Sequence, residues 1–146
     1  MTERIQFIQD RSYQVEFQYG DPREPESEEL EPVHGLHEVT PYGMMLFSLA
    51  SCTAQVVLGY SSHHHLNLEE VEIRLVYERD YQEDCEDCEE IDEFRERIRG
   101  KIEFRGQLST EEKDKLLRIS RQCPIEKIFE EGISIAIEAG DMAKGD

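Results

Sequence analysis

The sequence has little positive charge. Its 146 residues include 16 Lys and Arg against 34 Asp and Glu, which gives a formal net charge of −18. Because nucleic acids and anionic membrane surfaces are polyanions, this balance argues against a non-specific binder of either. The chain also lacks an internal repeat or an interdomain linker, and its length suits a single domain over residues 1–146.

The N-terminus, MTERIQFIQDRSYQ, lacks the positive segment and apolar stretch of a signal peptide. One run, Thr40–Asn67, contains no Asp, Glu, Lys or Arg and is long enough to raise the question of a membrane span. Pro, Gly, Ser, Gln and three His lower the hydrophobicity of this run below that of a membrane span, which favours a buried helix. We therefore expect a cytoplasmic protein without membrane contact, whose four cysteines are thiols.

Alternating apolar and polar residues predict strands with one buried and one solvated face, which is typical of antiparallel sheets. A turn at Asp10-Arg11-Ser12 is expected to join the first two strands. Basic residues along the fourth strand are expected to face Glu70, Glu72 and Glu78 across the sheet. The predicted strands are Arg4–Ile8, Tyr13–Tyr19, Val71–Tyr77, Phe94–Arg105 and Ile133–Ala139.

Three helices interrupt the strands. Tyr42–Ser62 is apolar nearly all round and is predicted to be a central buried helix. Ser109–Arg121 opens with a capping box of Ser109 and Glu112, and a shorter helix starts at Pro124 and stops at Gly132. The predicted class is α+β, with an antiparallel sheet covering one very apolar helix.

Two cysteines lie in settings that could support chemistry. Cys52 is in the middle of the apolar helix with Ser48 and Gln55 at helical spacing, although a buried cysteine in a helix is often a packing residue. Cys123 precedes Pro124 and is placed at a helix N-terminus, which favours a thiolate, or it is a cap position that happens to be Cys. The residues alone do not indicate whether the two thiols meet.

Two sequence blocks carry a resemblance to a known family. The segment 41–54, PYGMMLFSLASCTA, resembles the central-helix motif of the OsmC/Ohr family of osmotically inducible and organic-hydroperoxide-resistance proteins. LSTEE at 108–112 and RQCPI at 121–125 resemble the family's second block, in which a helix ends in a Cys-Pro pair. The predicted strands come in the matching order, so the resemblance extends from about Tyr13 to Ala139.

The resemblance implies an intertwined homodimer and a thiol peroxidase. Cys52 is expected to attack the peroxide as a thiolate and become a sulfenic acid, and Cys123 to resolve it to a disulfide. A cellular dithiol of the lipoyl or thioredoxin type is expected to reduce that disulfide. No metal or organic cofactor is required.

The chain departs from the hydroperoxide-resistance members at one position. There, a glutamate ten residues before the reactive cysteine orients an arginine from the first β-turn, whereas this chain has Tyr42. The resemblance assigns the arginine to Arg11, which could also be a plain exposed turn residue. Tyr42, Ser48 and Gln55 are expected to line the substrate pocket. The departure places the chain nearer the broader OsmC-like branch.

Other features leave alternatives open. Cys85 and Cys88 form a Cys-x-x-Cys in an acidic loop, which could be solvated, hold a metal together with a second such pair, or act as an auxiliary redox pair. His63–His65 ends the central helix and complements its dipole. Besides the peroxidase, two hypotheses remain: a non-catalytic OsmC-like dimer that binds a small hydrophobic ligand or a partner in its groove, and a metal-binding module using Cys85 and Cys88.

Overall fold

An antiparallel sheet forms one layer of the fold, and the computed structural model describes residues 1–81 and 94–140. Within those residues the strand order is β3-β2-β1-β4-β5, with every neighbouring pair antiparallel. The strands are β1 (Thr2–Asp10), β2 (Val15–Tyr19), β3 (Glu31–Pro32), β4 (Leu68–Tyr81) and β5 (Phe94–Gly106). A 3₁₀ turn lies at Leu36–Glu38, and the helices are α1 (Pro41–His63), α2 (Thr110–Ser120) and α3 (Pro124–Glu131). The predicted α+β class is confirmed.

Helix α1 is the centre of the hydrophobic core. It packs against β1 and β4 of the sheet and contacts α2 and α3. Phe7 and Val71 from the sheet are fully buried together with Leu46 and Val57 from α1. Full burial of a side chain of this kind stabilises a fold by about 1.5–3 kcal/mol. Although α1 is long and apolar enough to cross a membrane, its packing is that of a core helix.

A buried carboxylate fixes the start of α1 to the sheet. Thr40 is the N-cap, and its Oγ1 accepts a hydrogen bond from the Gly43 amide at 3.2 Å. The same hydroxyl donates to Glu3 Oε1 at 2.8 Å, and the Tyr19 hydroxyl donates to Glu3 Oε2. Because Glu3 is almost fully buried, these bonds replace the water that its carboxylate loses.

One face of the apolar helix α1 remains open in a single chain. The exposed residues recur at spacings of three, four or seven positions, so they form a stripe along the helix. They include Met44, Ser48, Gln55 and Gly59, and the half-buried Cys52 borders them.

The expected pairing of basic and acidic residues across the sheet is confirmed. Arg97 and Arg99 of β5 pair with Glu78 of β4 at 2.7 and 2.5 Å. Arg105 pairs with Glu70 at 2.6 Å and with Glu72 at 3.2 Å. The basic side chains are therefore matched within the sheet.

The predicted strand at Ile133–Ala139 is wrong for the single chain. Residues 132–140 form no regular secondary structure, and Ile133, Ile135 and Ile137 are 63%, 75% and 89% exposed. Gly132, at a φ of 85° that favours glycine, ends α3 and starts this segment. A period-2 pattern describes the two faces of a strand, but a strand also needs a neighbour to pair with, and this segment has none in its own sheet.

The first β-turn is confirmed, but β2 starts later than predicted. Asp10 Oδ1 accepts hydrogen bonds from the amides of Ser12 and Gln14, at 2.8 and 3.0 Å. Tyr13 has a φ of 64°, so it belongs to the turn rather than to the predicted strand Tyr13–Tyr19.

Candidate active site

Cys52 lies in the middle of α1, on the side that faces α3. The Thr40 cap and Pro41 in the first turn start the helix, and an uninterrupted run of apolar and small residues continues it past Cys52. The thiol is half-buried at the border of the open stripe. It is therefore accessible to a small molecule without any movement of the core.

Cys123 is the N-cap of α3 and is fully buried. It follows the turn after α2, and Pro124 occupies the first helical position, where its missing N–H costs nothing. Its side chain makes no capping hydrogen bond. The Cys123 thiol therefore does not bond to the amides of its own helix.

The structure brings the two thiols together, although 71 positions separate them in the sequence. Both cysteines are free, and the Cys123 side chain lies near enough to Cys52 to raise the pKa of the Cys52 thiol. The Ile125 amide acts on the same thiol and lowers its pKa. A disulfide forms only between cysteines that are neighbours in the fold.

Opposing effects act on the Cys52 thiol. Burial raises its pKa above the ordinary value, and the hydrogen bond to Cys123 raises it further. The Ile125 amide lowers the pKa because it favours the thiolate, but the upward effects prevail. In a single chain, Cys52 therefore holds its proton more tightly than an exposed cysteine.

Ser48 and Gln55 lie on the open stripe of α1 rather than against the thiols. The Ser48 hydroxyl donates to the Met45 carbonyl oxygen at 2.8 Å, and Gln55 Nε2 donates to Ser51 Oγ at 3.4 Å. Both side chains are bonded within their own helix and exposed. Their place beside Cys52 keeps them available to a molecule that approaches along this stripe.

Tyr42 belongs to a polar cluster whose other members sequence analysis missed. Its ring stacks on Tyr77 at 5.1 Å between centroids, and its hydroxyl accepts from Arg79 Nη1 at 3.2 Å. The Tyr77 hydroxyl donates to Glu96 Oε1 at 2.6 Å, and Arg79 Nε lies 3.9 Å from the same oxygen. Burial and then the bond to Glu96 raise the pKa of Tyr77.

The sequence indicates this cluster only when the register between β4 and β5 is known. Arg79 of β4 stands directly opposite Glu96 of β5, and Tyr77 lies two positions before Arg79 on the same face. A cavity of about 530 Å³ extends from the cluster to α3, with Met45, Leu49 and Phe129 among its apolar walls. Leu49 is one helical turn before Cys52, but neither Cys52 nor Cys123 lines this cavity.

A larger cavity of about 770 Å³ lies beside β3 and the preceding loop, with Arg4, Asp21, Glu31 and His34 in its walls. No residue of α2 or α3 lines it, and neither Cys52 nor Cys123 is among its walls. Its size therefore does not make it part of the thiol site.

Arg11 lies in the turn between β1 and β2, with its side chain exposed. Its amide donates to the Glu69 carbonyl oxygen at 2.9 Å. The groups of the same chain that shift the pKa of Cys52 do not include Arg11. One chain therefore does not bring Arg11 to the thiol pair.

The hypothesis that Cys85 and Cys88 bind a metal falls on residues outside the described part of the chain. The ring centroids of His63 and His64 are 5.2 Å apart, and those of His64 and Tyr60 are 4.1 Å apart. Over residues 1–81 and 94–140, no three His, Cys, Asp or Glu side chains form a group suited to a metal ion.

The fold and the thiol pair define a small α+β protein with a dithiol site. The sequence profile of the family described as OsmC-like protein matches residues 34–138, which is most of the chain. The chain therefore belongs to the OsmC-like family, and the resemblance seen in its motifs is confirmed.

Comparison of structures supports the same fold. An OsmC-like hydroperoxide resistance protein from Jannaschia sp. CCS1, known from a crystal structure at 1.70 Å resolution, is similar with a TM-score of 0.57. The sequences are 12% identical over 97% of this chain and 96% of that chain. Identity this low shows the fold alone. No curated protein matches the chain.

Proposed function

We propose that the protein is a thiol-dependent peroxidase that reduces organic hydroperoxides or hydrogen peroxide. The observation that carries the proposal is that a half-buried Cys52 and a fully buried Cys123 are neighbours in the fold, so that Cys123 acts on the Cys52 thiol. In the proposal, Cys52 meets the peroxide and Cys123 reacts with the product. The hydroperoxide resistance of the structural neighbour is consistent with this chemistry.

The proposed cycle balances without a cofactor. The Cys52 thiolate attacks the peroxide oxygen, the O–O bond breaks, and the alkoxide takes a proton to leave as an alcohol. The Cys123 thiol then attacks the sulfur of the Cys52 sulfenic acid, forms the disulfide and releases water. A cellular dithiol of the lipoyl or thioredoxin type reduces the disulfide and becomes oxidised. The cytoplasm, where thiols stay reduced, is the proposed location.

A second copy of the chain is part of the proposal. The stripe of α1 beside Cys52 is open, and Ile133, Ile135 and Ile137 follow α3 with most of their surface exposed. Large apolar side chains that stay exposed together often mark an interaction surface, and a homodimer is the commonest assembly that covers one. Because Arg11 does not act on Cys52 within one chain, we propose that it does so from the second copy.

A non-catalytic function is the alternative, because the raised pKa of Cys52 opposes thiolate chemistry and the 530 Å³ cavity has apolar residues beside its charged ones. In that case the protein binds a small hydrophobic ligand there and the thiols remain unreactive.

Stopped-flow consumption of an alkyl hydroperoxide and of hydrogen peroxide distinguishes the two functions. Wild type is expected to consume one equivalent rapidly, and Cys52→Ser to lose this phase. The double variant Cys85→Ser/Cys88→Ser is the matched control and is expected to react like wild type. If Cys52→Ser reacts as fast as wild type, the assigned peroxidase site is wrong. If only the double variant loses the reaction, the chemistry belongs to the Cys-x-x-Cys.

A further inference from the structure

Helix α3 is attached to the rest of the chain by few apolar contacts. Over residues 121–140, Cys123 is the one fully buried residue, and α3 itself contains none. Ile125 packs against the hydrophobic core, and the residues that follow α3 form no regular secondary structure. Because so little apolar surface fixes α3, the position of the helix and of the thiol at its N-cap depends on its polar contacts.

An ion-pair network spans the turn between α2 and α3. Arg121 is the C-cap of α2, and its Nη2 lies 3.1 Å from Glu126 Oε1 and 3.8 Å from Glu130 Oε1. Glu126 and Glu130 are four positions apart, so they lie on the same face of α3. Cys123 lies between Arg121 and Glu126 in the sequence. The network therefore closes a short loop of chain that contains this cysteine.

The two helices that the network joins differ in how well they are anchored. Leu116 and Ser120 of α2 are buried, and Leu116 belongs to the hydrophobic core. Arg121 is at the C-terminal end of α2 and Glu126 is in the first turn of α3, where the helix dipoles favour a cation and an anion respectively. The ion pairs thus tie the loosely packed α3 to a helix that is fixed in the core.

We infer that Arg121 is a positioning residue for Cys123, because its ion pairs with Glu126 and Glu130 hold α3 where the buried thiol can close the disulfide with Cys52. The inference rests on the proposed function for the role of that disulfide. Arg121 acts through the placement of α3 and not through its charge on the thiol. Without the ion pairs, α3 leaves this position more often, and closure of the disulfide slows.

Dipyridyl disulfide, a small neutral reagent, follows this closure without peroxide. The assay uses the full chain with Cys85→Ser/Cys88→Ser. The Cys52 thiolate attacks the reagent, breaks its S–S bond and releases a first pyridinethione. The Cys123 thiol then attacks the Cys52 sulfur, and a second pyridinethione leaves with the proton of Cys123. Absorbance resolves the two releases, and the second is intramolecular, so its rate is independent of the reagent concentration.

Arg121→Ala is expected to slow the second release about two- to fivefold, the range for the loss of an exposed or partly buried ion pair, and to leave the first unchanged. Arg121→Lys should recover part of the rate, because it keeps the charge without the planar fork. The matched control, Arg118→Ala, removes the same charge from the last turn of α2 and should change neither release. Hydrogen exchange of the α3 amides in the reduced protein should quicken by the same factor in Arg121→Ala and stay unchanged in Arg118→Ala.

The partner carboxylates separate placement from charge. Glu126→Gln/Glu130→Gln breaks the same ion pairs, so it should slow the second release as Arg121→Ala does, and combining the changes should slow it no further. If Arg121 acted by its charge on the Cys123 thiolate, removal of the two carboxylates would instead speed the second release. That result overturns the inference. So does an Arg121→Ala protein whose second release or α3 exchange matches that of Arg118→Ala.

The assay contains no peroxide, so its result is independent of the peroxidase activity. A wild type that shows both releases but consumes no peroxide refutes the peroxidase and leaves the placement of Cys123 by Arg121 standing. A wild type that shows no second release overturns the inference, because Cys123 then closes no disulfide with Cys52.

Discussion

Oxidation by one equivalent of organic peroxide is expected to stabilise the protein markedly. A disulfide between Cys52 and Cys123 closes a loop of about 71 residues. The entropy that such a loop removes from the unfolded chain corresponds to about 4 kcal/mol. Because the two thiols are neighbours in the folded chain, we expect most of that stabilisation to be retained when the bond forms.

For a chain of this size, 4 kcal/mol raises the midpoint of thermal unfolding by roughly 8–16 °C. The assay compares thermal unfolding of reduced and oxidised protein at one protein concentration, in the Cys85→Ser/Cys88→Ser background. That background leaves one intramolecular pair, Cys52 and Cys123. The matched control adds Cys52→Ser and is treated with the same peroxide.

Unreduced peptides from the wild type, analysed by mass spectrometry, should contain the Cys52–Cys123 disulfide. Coincident unfolding curves for the reduced and oxidised background variant would refute the reasoning. So would a shift that persists in the Cys52→Ser control, because it would then come from another oxidation product. Recovery of a Cys85–Cys88 disulfide alone from the wild type would show that the two-cysteine mechanism is assigned to the wrong pair.

Three further predictions test the surroundings of the site. Arg11→Ala should slow the peroxide reaction by roughly one to three decades in stopped flow, with Arg11→Lys recovering part of the rate; a wild-type rate in Arg11→Ala excludes the assigned role. Light scattering should find a homodimer that persists at nanomolar concentration, and Ile135→Asp should weaken it; a wild-type monomer contradicts the assembly. Thr40→Val removes a helix cap and a donor to the buried Glu3, and should lower the free energy of unfolding in denaturant by about 2–4 kcal/mol. Thr53→Val is the control and should lower it by less than about 1 kcal/mol; equal losses contradict the role of the cap.

Most of the secondary structure could be predicted because the elements have one buried face and one solvated face. Val71, Ile73 and Leu75 alternate with polar residues and are buried on the inner face of β4. The capping box of Ser109 and Glu112 marks the start of α2, and the structure contains both of its hydrogen bonds. Local patterns of this kind need no knowledge of the rest of the fold.

The errors in the predicted strands lie where strand pairing, rather than the period of the sequence, decides whether a strand forms. β3 pairs only through Glu31 and Pro32, too few residues to show a period. Ile133–Ala139 has the period of a strand, but the single chain offers it no strand neighbour. The alternation predicted a strand in the same chain's sheet, and that prediction is wrong.

The site was predictable in its residues but not in its geometry. Spacing alone did not place Cys52 next to Cys123, so their pairing came from the family motifs. The Tyr42 cluster depends on Arg79 standing opposite Glu96, which is a property of the register between two strands. The nearness of Cys123 to Cys52 depends on how α3 meets α1, for which the Cys-Pro sequence indicates only a helix start.

The raised pKa of Cys52 in one chain connects assembly to reactivity. Thiol exchange is fastest when the attacking thiol has a pKa near the ambient pH, whereas burial moves that of Cys52 upward. If Arg11 of a second copy supplies the missing charge, the peroxide rate must follow the fraction of dimer. Diluting Ile135→Asp through its dissociation should then slow the reaction, while Arg11→Ala should be slow at every concentration. A monomer that reacts as fast as the dimer would exclude the second copy as the source of that charge.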